Sequence, residues 1–272
     1  MSTSIENEAR GASEQAHVTQ WVGPVEFVSS DSLRAVHQIL DLVHDGRGVH
    51  VHLANAYTVS LADTSPEYRS VLAAPAINFP DGKPIGWTSA LRGHSPALRQ
   101  VRGPQLFLDV FDAGRAHGIK HFLLGSTPEV LASLQLVLAD RFPGVQIVGV
   151  ESPPFRPLSP EELAAQDSRI RDTAADIVWV GLGTPKQDVE AQRLAGSLPI
   201  VAVAIGAAFD FAAGTIRPAP AWVTAIGFEW AYRFAREPRR LWKRYVFGNA
   251  RFVKTALLSK PRPAPTSTKI RG

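Results

Sequence analysis

The apolar residues of the central chain fall into short uninterrupted runs, separated by longer stretches with helical spacing. Uninterrupted apolar runs are typical of parallel strands that are covered on both faces. Their alternation with helices predicts a parallel sheet with right-handed crossovers. The predicted strands cover residues 119–124, 145–150, 177–181 and 200–205, and the predicted helices cover 127–141, 160–174 and 186–195. We therefore predict an α/β fold with a Rossmann-like, mostly parallel sheet flanked by helices.

The first hundred residues show a weaker form of the same pattern. A stripe at helical spacing predicts a helix from Ser30 or Asp31 to about Asp45. This stripe consists of Leu33, Val36, Ile39, Leu40 and Val43. The other predicted elements are a strand or turn at 23–28, a strand at 49–55, a helix at 56–62, a short strand from 76 running into a Pro/Gly-rich loop to 87, and a helix at 102–117.

Charge divides the 272-residue chain into an acidic body and a basic end. Residues 1–232 hold 17 Lys/Arg against 24 Asp/Glu, whereas residues 233–272 hold 12 against one. We predict a disordered N-terminus at 1–20, an α/β domain at 21–232, a basic helical appendage facing a membrane at 233–258, and a disordered tail at 259–272. Aromatic residues among the basic ones fit an interfacial helix, and a solvated basic face is the alternative.

Composition excludes several classes of protein. The chain has no cysteine, so disulfides and thiolate chemistry are absent. Residues 1–20 lack the apolar core of a secretory signal. The longest uncharged stretch, 194–209, has 16 residues, fewer than the roughly 20 that a membrane-spanning helix needs.

The run from Ile177 to Asp188 predicts a buried strand, a glycine turn and a helix start. Gly181 and Gly183 allow a tight turn, Thr184 is a candidate N-cap, and Lys186 adds a positive charge. A helix N-terminus at this edge of a sheet can receive a diphosphate, although an ordinary βα turn has the same pattern. Neither a G-x-G-x-x-G fingerprint nor a P-loop is present. A second such turn spans 125–128.

Polar residues follow several predicted strands, where they would face a ligand crevice. Asn55 could hold a substrate or cap a helix, Asp81 could carry chemistry or shape a turn, and Asp210 could line a pocket or bond its own loop. His50 and His52 share one strand face, which suits a metal pair, but no third ligand lies nearby in the sequence, so we predict a packed or surface pair. The chain contains no D-x-D, so we predict no metal.

In this order and combination, the motifs resemble the WecG/TagA/CpsF glycosyltransferases over residues 22–250. The resemblance rests on Asn55-Ala56, Pro80-Asp81-Gly82, Arg102-Gly103, Leu124-Gly125, Gly181-Leu182-Gly183, Pro185-Lys186-Gln187, Gly206, Phe209-Asp210, Gly214, Arg217-Pro218-Ala219-Pro220, Glu229-Trp230, Tyr232-Arg233 and Glu237-Pro238-Arg239. Leu53 stands where the family has threonine, and Asp188 stands where it has glutamate. In the family this threonine position belongs to the sugar pocket, so the resemblance implies that glucose or another hexose suits the donor as well as N-acetylmannosamine.

The resemblance implies inverting transfer of a hexose or N-acetylhexosamine from a UDP-sugar to a sugar on a polyprenyl diphosphate. It places the enzyme in the cytoplasm, on the inner face of the plasma membrane, with no cofactor. It makes Asp81 the catalytic base. The expected substrate-binding residues are Asn55, Gly125, Gly181, Gly183, Lys186, Gln187, Asp210 and Arg217. The residues expected to meet the anionic membrane surface or the acceptor diphosphate are Arg233, Arg236, Arg239, Arg240 and Arg244. A homo-oligomer is compatible with the sequence.

Two other functions share parts of the pattern. A nicotinamide-dependent oxidoreductase would have the same α/β alternation, but the dinucleotide fingerprint is missing. A nucleic-acid-binding module would use the basic, aromatic end of the chain. We expect no nucleic-acid partner.

Overall fold

A computed structural model describes residues 18–216, 219, 220, 223, 229–236, 242 and 248–256. Six strands form its main sheet: β3 (Val49–Ala54), β4 (Ile77–Pro80), β5 (Lys120–Gly125), β6 (Gln146–Glu151), β7 (Ile177–Gly181) and β8 (Val201–Ala204). Every neighbouring pair is parallel, in the order β4-β3-β8-β7-β5-β6. The predicted parallel α/β sheet is confirmed.

Helices cover both faces of this sheet, because its strands alternate apolar residues between the faces. Trp179 of β7 packs on one face against Phe107 and Phe209, whereas Val178 and Val180 pack on the other against Ala191 and Leu194. The helices are α1 (Ser32–His44), α2 (Ala56–Thr64), α3 (Pro66–Val71), α4 (Lys83–Leu91), α5 (Gly103–Gly114), α6 (Pro128–Arg141), α7 (Pro160–Asp172), α8 (Lys186–Ser197), α9 (Ala208–Ala212) and α10 (Glu229–Arg236), and a 3-10 turn covers Arg115–His117. Burial on both faces explains why the strands lack an exposed polar stripe.

Three predicted details are wrong near the N-terminus. Strand β1 (Thr19–Val22) pairs with β2 (Val25–Val28) as an antiparallel hairpin, so structure begins inside the segment predicted as disordered. Leu33 is 67% exposed, because α1 is rotated to bury Ala35 and Leu42 instead. The predicted Pro/Gly-rich loop contains α4, since Pro84 lies in its first turn, where proline is tolerated.

The described part of the C-terminal segment packs against the body. Residues 248–256 are helical, and Phe252 and Ala256 are buried in a cluster with Val59 and Ile85. Thr255 donates from Oγ1 to Asp63 at 2.8 Å, and Arg92 Nε donates to the Ala256 carbonyl at 3.0 Å. Part of the segment predicted as an appendage is therefore continuous with the core, while most of 237–247 and all of 257–272 lie outside the described residues.

Within the described ranges, no helix has the length and hydrophobicity that crossing a bilayer requires.

Candidate functional site

One large cavity lies along the carboxyl edge of the parallel sheet. Its volume is about 1750 Å³, well above the roughly 300–1,000 Å³ of a typical ligand pocket. All six strands contribute a residue just beyond their carboxyl ends: Asn55, Asp81, Ser126, Pro153, Gly183 and Gly206. Because parallel strands bring these ends together, residues far apart in sequence meet in one space.

Asp81 lies at one end of this cavity, directly after β4. Its backbone N–H donates to the Ala54 carbonyl at 2.9 Å, and the N–H of Val101 donates to the Pro80 carbonyl at 2.8 Å. These bonds extend the strand pairing and fix the Asp81 backbone. Lys83 and Arg102 line the same cavity and place positive charge in it.

Asn55 caps α2 and lines the cavity as well. Its Oδ1 accepts from the N–H groups of Tyr57 at 3.0 Å and Thr58 at 3.3 Å. Its amide Nδ2 makes no hydrogen bond within the described chain. The cap therefore holds the side chain in place and leaves the Nδ2 donors for a ligand, so the two sequence interpretations are compatible.

The turn between β7 and α8 forms the opposite wall of the cavity. The N–H of Gly183 donates to Gln187 Oε1 at 2.9 Å, and the N–H of Gln187 donates to the Gly183 carbonyl at 3.0 Å. Helix α8 starts at Lys186 with Pro185 as its N-cap and no capping side chain, so the predicted Thr184 cap is wrong. The N–H groups of Leu182, Thr184 and Lys186, which all line the cavity, have no partner among the described residues.

Two glycines are required by close packing. A Cβ on Gly181 would lie 2.7 Å from the Phe209 ring, and one on Gly125 would lie 2.6 Å from the Gly181 backbone. Gly125 also has a φ of 124°. It does not line the cavity, whereas its neighbour Ser126 does. Gly125 therefore lies behind the cavity wall, and its contact with substrate stays a prediction.

Two arginines of the cavity wall are already paired with carboxylates. Arg193 makes hydrogen bonds of 2.7–3.0 Å with Asp167 and Glu190, and these bonds, that with Glu190 above all, raise its pKa. Arg156 makes bonds of 2.6 and 2.7 Å with Glu162. Lys186 is exposed and has no ion pair within the described chain. It is thus well placed to meet an incoming anion.

The other predicted site residues divide between the cavity, the surface and the undescribed chain. Asp210 of α9 lines the cavity, and its carbonyl also accepts from the N–H groups of Thr215 and Ile216. Arg236 of α10 is exposed and donates to Tyr232 Oη at 3.2 Å. Arg233 belongs to α10, while Arg217, Arg239, Arg240 and Arg244 lie outside the described residues.

Sequence reasoning missed three parts of the site. One is the proline-rich segment 153–158, which forms the wall beyond β6. Another is the wall made by Asn249, Phe252, Val253 and Ala256, where buried apolar residues alternate with the basic residues that dominate the sequence pattern. The last is the buried contact between His52 and Asp188, 3.0 Å apart. The histidine pair is packed, as predicted, and the alternation of His50 and His52 along a buried strand was the available signal.

The arrangement suits transfer between two bound molecules. A carboxylate and Lys186, a cation with no ion pair among the described residues, line one cavity at the carboxyl edge of a doubly covered parallel sheet, and the cavity exceeds the needs of one small ligand. The sequence model described as "Glycosyl transferase WecG/TagA/CpsF family" matches residues 22–265 of the 272-residue chain. The match includes every strand of the parallel sheet and every cavity-lining residue. The chain belongs to the WecG/TagA/CpsF family of glycosyltransferases.

Proposed function

We propose that the protein transfers a hexose or N-acetylhexosamine, with inversion, from a UDP-sugar to a sugar carried on a polyprenyl diphosphate. Asp81 is the general base in this proposal, and no metal takes part. The observation that carries it is the shared cavity, in which Asp81 follows β4 and Lys186 opens the helix after β7. These are the two chemical requirements of a direct displacement, a base for the acceptor and a positive site for the leaving group.

The strand order sets the distance between these groups. Strands β3 and β8 lie between β4 and β7, so three strand spacings separate the two ends, about 14 Å. A sugar held over Asn55 and Gly206 would fill the middle of this span. Its anomeric carbon would then lie between the base and the diphosphate.

The proposed reaction is a single displacement. The acceptor hydroxyl oxygen forms a bond to the anomeric carbon while Asp81 takes its proton. The bond from that carbon to the diphosphate oxygen breaks, and the oxygen keeps the electron pair. The N–H groups of Leu182, Thr184 and Lys186, together with the Lys186 ammonium, would receive the resulting charge on UDP.

The half of the cavity beyond β7 suits the nucleoside. Two more strands, β5 and β6, extend the floor there by about 10 Å. The wall contains Phe155, which is 88% exposed, and Gln166, whose Nε2 donates to Glu190 at 2.6 Å. A flat exposed ring beside fixed polar groups fits a planar base.

The other end of the cavity suits a lipid-linked acceptor at a membrane surface. Trp87, Leu91 and Val253 line the cavity and are 49%, 80% and 53% exposed. Arg251 and Lys254 are exposed beside Val253. Apolar residues beside basic ones support peripheral binding to an anionic bilayer on the cytoplasmic side.

The test is a panel of UDP-sugars offered with a synthetic polyprenyl-diphosphate glycoside, with products identified by mass spectrometry and the new linkage by NMR. We expect one UDP-sugar to give a product of inverted anomeric configuration, at an unchanged rate in the presence of a chelator. Retained configuration, or transfer to free sugar but not to the lipid-linked one, would contradict the proposal. Asp140→Asn, on the exposed surface of α6, serves as the matched control for Asp81→Asn.

A further inference from the structure

A group of buried polar side chains lies behind the turn between β7 and α8. The Asp188 carboxylate accepts from His52 Nδ1 at 3.0 Å and from the Tyr68 hydroxyl at 2.8 Å. His50 Nδ1 lies 2.8 Å from His52 Nε2, so the two rings share one hydrogen. All four side chains are at most 6% exposed. A carboxylate this deeply buried is stable only when donors satisfy its oxygens, and these two do so.

Burial fixes the protonation of two members of this group. Burial, followed by the charge of Asp188, raises the pKa of Tyr68, so its hydroxyl keeps its hydrogen. Burial lowers the pKa of His50 to about 4, with a smaller contribution from His52. At neutral pH neither Tyr68 nor His50 is therefore charged, and both act only through hydrogen bonds.

The group joins three elements behind the cavity without lining it. His50 and His52 belong to β3, Tyr68 to α3, and Asp188 to the first turn of α8. Asp188 directly follows Lys186 and Gln187, which do line the cavity. Gln187 in turn holds Gly183 through bonds in both directions. The position of Asp188 therefore determines the position of the whole turn.

No side chain caps α8, so the buried carboxylate is the anchor of its first turn. Besides this anchor, the first turn has backbone bonds, such as those from Asp188 and Val189 to the Pro185 carbonyl, and the bond from the Gly183 N–H to Gln187 Oε1 within the turn itself. An acid in the first turn is also favoured by the helix dipole. Because Asp188 points away from the cavity, its charge does not occupy the anion site that Lys186 faces.

We propose that Asp188, held by His52 and Tyr68, is a positioning residue that fixes the 181–187 turn in the shape that receives the donor diphosphate. The inference rests on the proposed function for the identity of the ligand, while the anchoring itself does not depend on it. Loss of the Asp188 anchor is expected to change donor binding and the hydrogen exchange of the backbone amides in the turn, without changing the surroundings of Asp81.

The experiment compares Asp188→Asn and Tyr68→Phe with the matched control Asp176→Asn. Asp176 accepts from the Lys120 N–H at 2.8 Å, at the opposite edge of the sheet. Hydrogen exchange of the Gly183 and Gln187 amides is followed by NMR, and UDP affinity by calorimetry. For Asp188→Asn we expect about tenfold faster exchange at Gly183 and a UDP dissociation constant raised about tenfold. Tyr68→Phe should raise the Gly183 exchange rate and the UDP dissociation constant about threefold each. Asp176→Asn should change neither quantity.

Each outcome decides one part of the inference. Wild-type exchange at Gly183 in Asp188→Asn would overturn the anchoring, and faster exchange with unchanged UDP affinity would overturn its role in donor binding. If wild-type protein fails to bind UDP while Asp188→Asn still accelerates exchange, the anchoring stands and the proposed function fails. Should Asp188→Asn not fold, Tyr68→Phe alone decides, since it keeps the ring and the carboxylate.

Discussion

The turn after β5 and the turn after β7 both lead into a helix that starts at the carboxyl edge of the sheet. After β5, Thr127 caps α6 by accepting from the Val130 N–H at 3.4 Å, and its hydrogen bond to Glu129 lowers the pKa of that carboxyl. After β7, the first charged residue is Lys186, and the acid of the first turn, Asp188, is buried behind the cavity.

This difference separates a structural helix start from one that can bind a ligand. The N-terminus of α6 already holds its own hydroxyl and carboxylate, so an external anion would meet a negative charge there. The N-terminus of α8 offers N–H groups and an ammonium instead. A glycine turn followed by Pro and a helix therefore favours an anion site only when no side chain of the chain caps the helix N-terminus.

The largest expected effect comes from acid, because two histidines of the parallel sheet are buried, His121 at the start of β5 and His50 on β3. Burial lowers the pKa of His121, on β5, to about 3, and burial with His52 lowers that of His50, on β3, to about 4, against about 6.5 when unfolded. The unfolded chain therefore binds protons first as the pH falls. The free energy of unfolding should drop by roughly 3 kcal/mol for each histidine between pH 7 and pH 4.

Urea denaturation at the two pH values measures this drop. His121→Phe should flatten the pH dependence by about half while leaving UDP binding at pH 7 intact. A pH dependence that stays as steep as in the wild type would contradict the role of His121.

The next largest effect is expected from alanine substitutions of the glycines in the two turns, which should lower the free energy of unfolding by different amounts. Gly125→Ala forces a Cβ against the Gly181 backbone at a φ of 124°, which should lower the free energy of unfolding by about 3 kcal/mol or more. Gly183→Ala meets no atom within 4 Å at a φ of 79°, so about 1 kcal/mol is expected. Chemical denaturation gives both values, and equal losses would remove the packing argument for Gly125.

The charges at the two helix starts should differ in their effect on nucleotide affinity. Lys186→Ala should raise the dissociation constant of UDP about tenfold, equivalent to about 1.4 kcal/mol. Glu129→Gln, the matched change at α6, should leave it unchanged. Calorimetry with UDP checks both variants. A loss of affinity in Glu129→Gln that matches the loss in Lys186→Ala would erase the distinction between the turns.

The cap of α6 should give the smallest effect. Thr127→Ala removes the bond to Val130 and should lower the free energy of unfolding by about 1 kcal/mol. UDP affinity should not change, although Thr127 borders the cavity. Thermal denaturation beside calorimetry tests this, and weakened UDP binding would show that the β5 turn also holds the donor.

The sequence predicts the sheet and the meeting of the strand ends well, for clear physical reasons. A strand covered on both faces must be apolar throughout, as 177–181 is, and parallel strands must place their following residues at one edge. Asn55, Asp81, Gly183 and Asp210 were therefore predictable as neighbours of one cavity. Strand β1, the hairpin partner of β2, was not predictable, because its residues Thr19 and Gln20 are polar and follow a polar segment.

Other features depend on geometry that no local pattern shows. Pro84 and Gly82 suggest a loop, yet both fit a helix start when nothing later interrupts α4. Asp188 and His52 are 136 residues apart, so their contact follows only from the fold. Phe252 is buried among basic neighbours, and its burial depends on α2 and α4 being beside it.

The most direct test of the central claim, that Asp81 and the α8 turn act from opposite ends of one cavity, is turnover and UDP affinity in Asp81→Asn. Turnover should fall about 100-fold to 10,000-fold, while the UDP dissociation constant stays at the wild-type value. In the control Asp140→Asn, both turnover and the UDP dissociation constant should stay at the wild-type values. Near-normal turnover in Asp81→Asn, or a loss of UDP binding as large as that of Lys186→Ala, would contradict the claim.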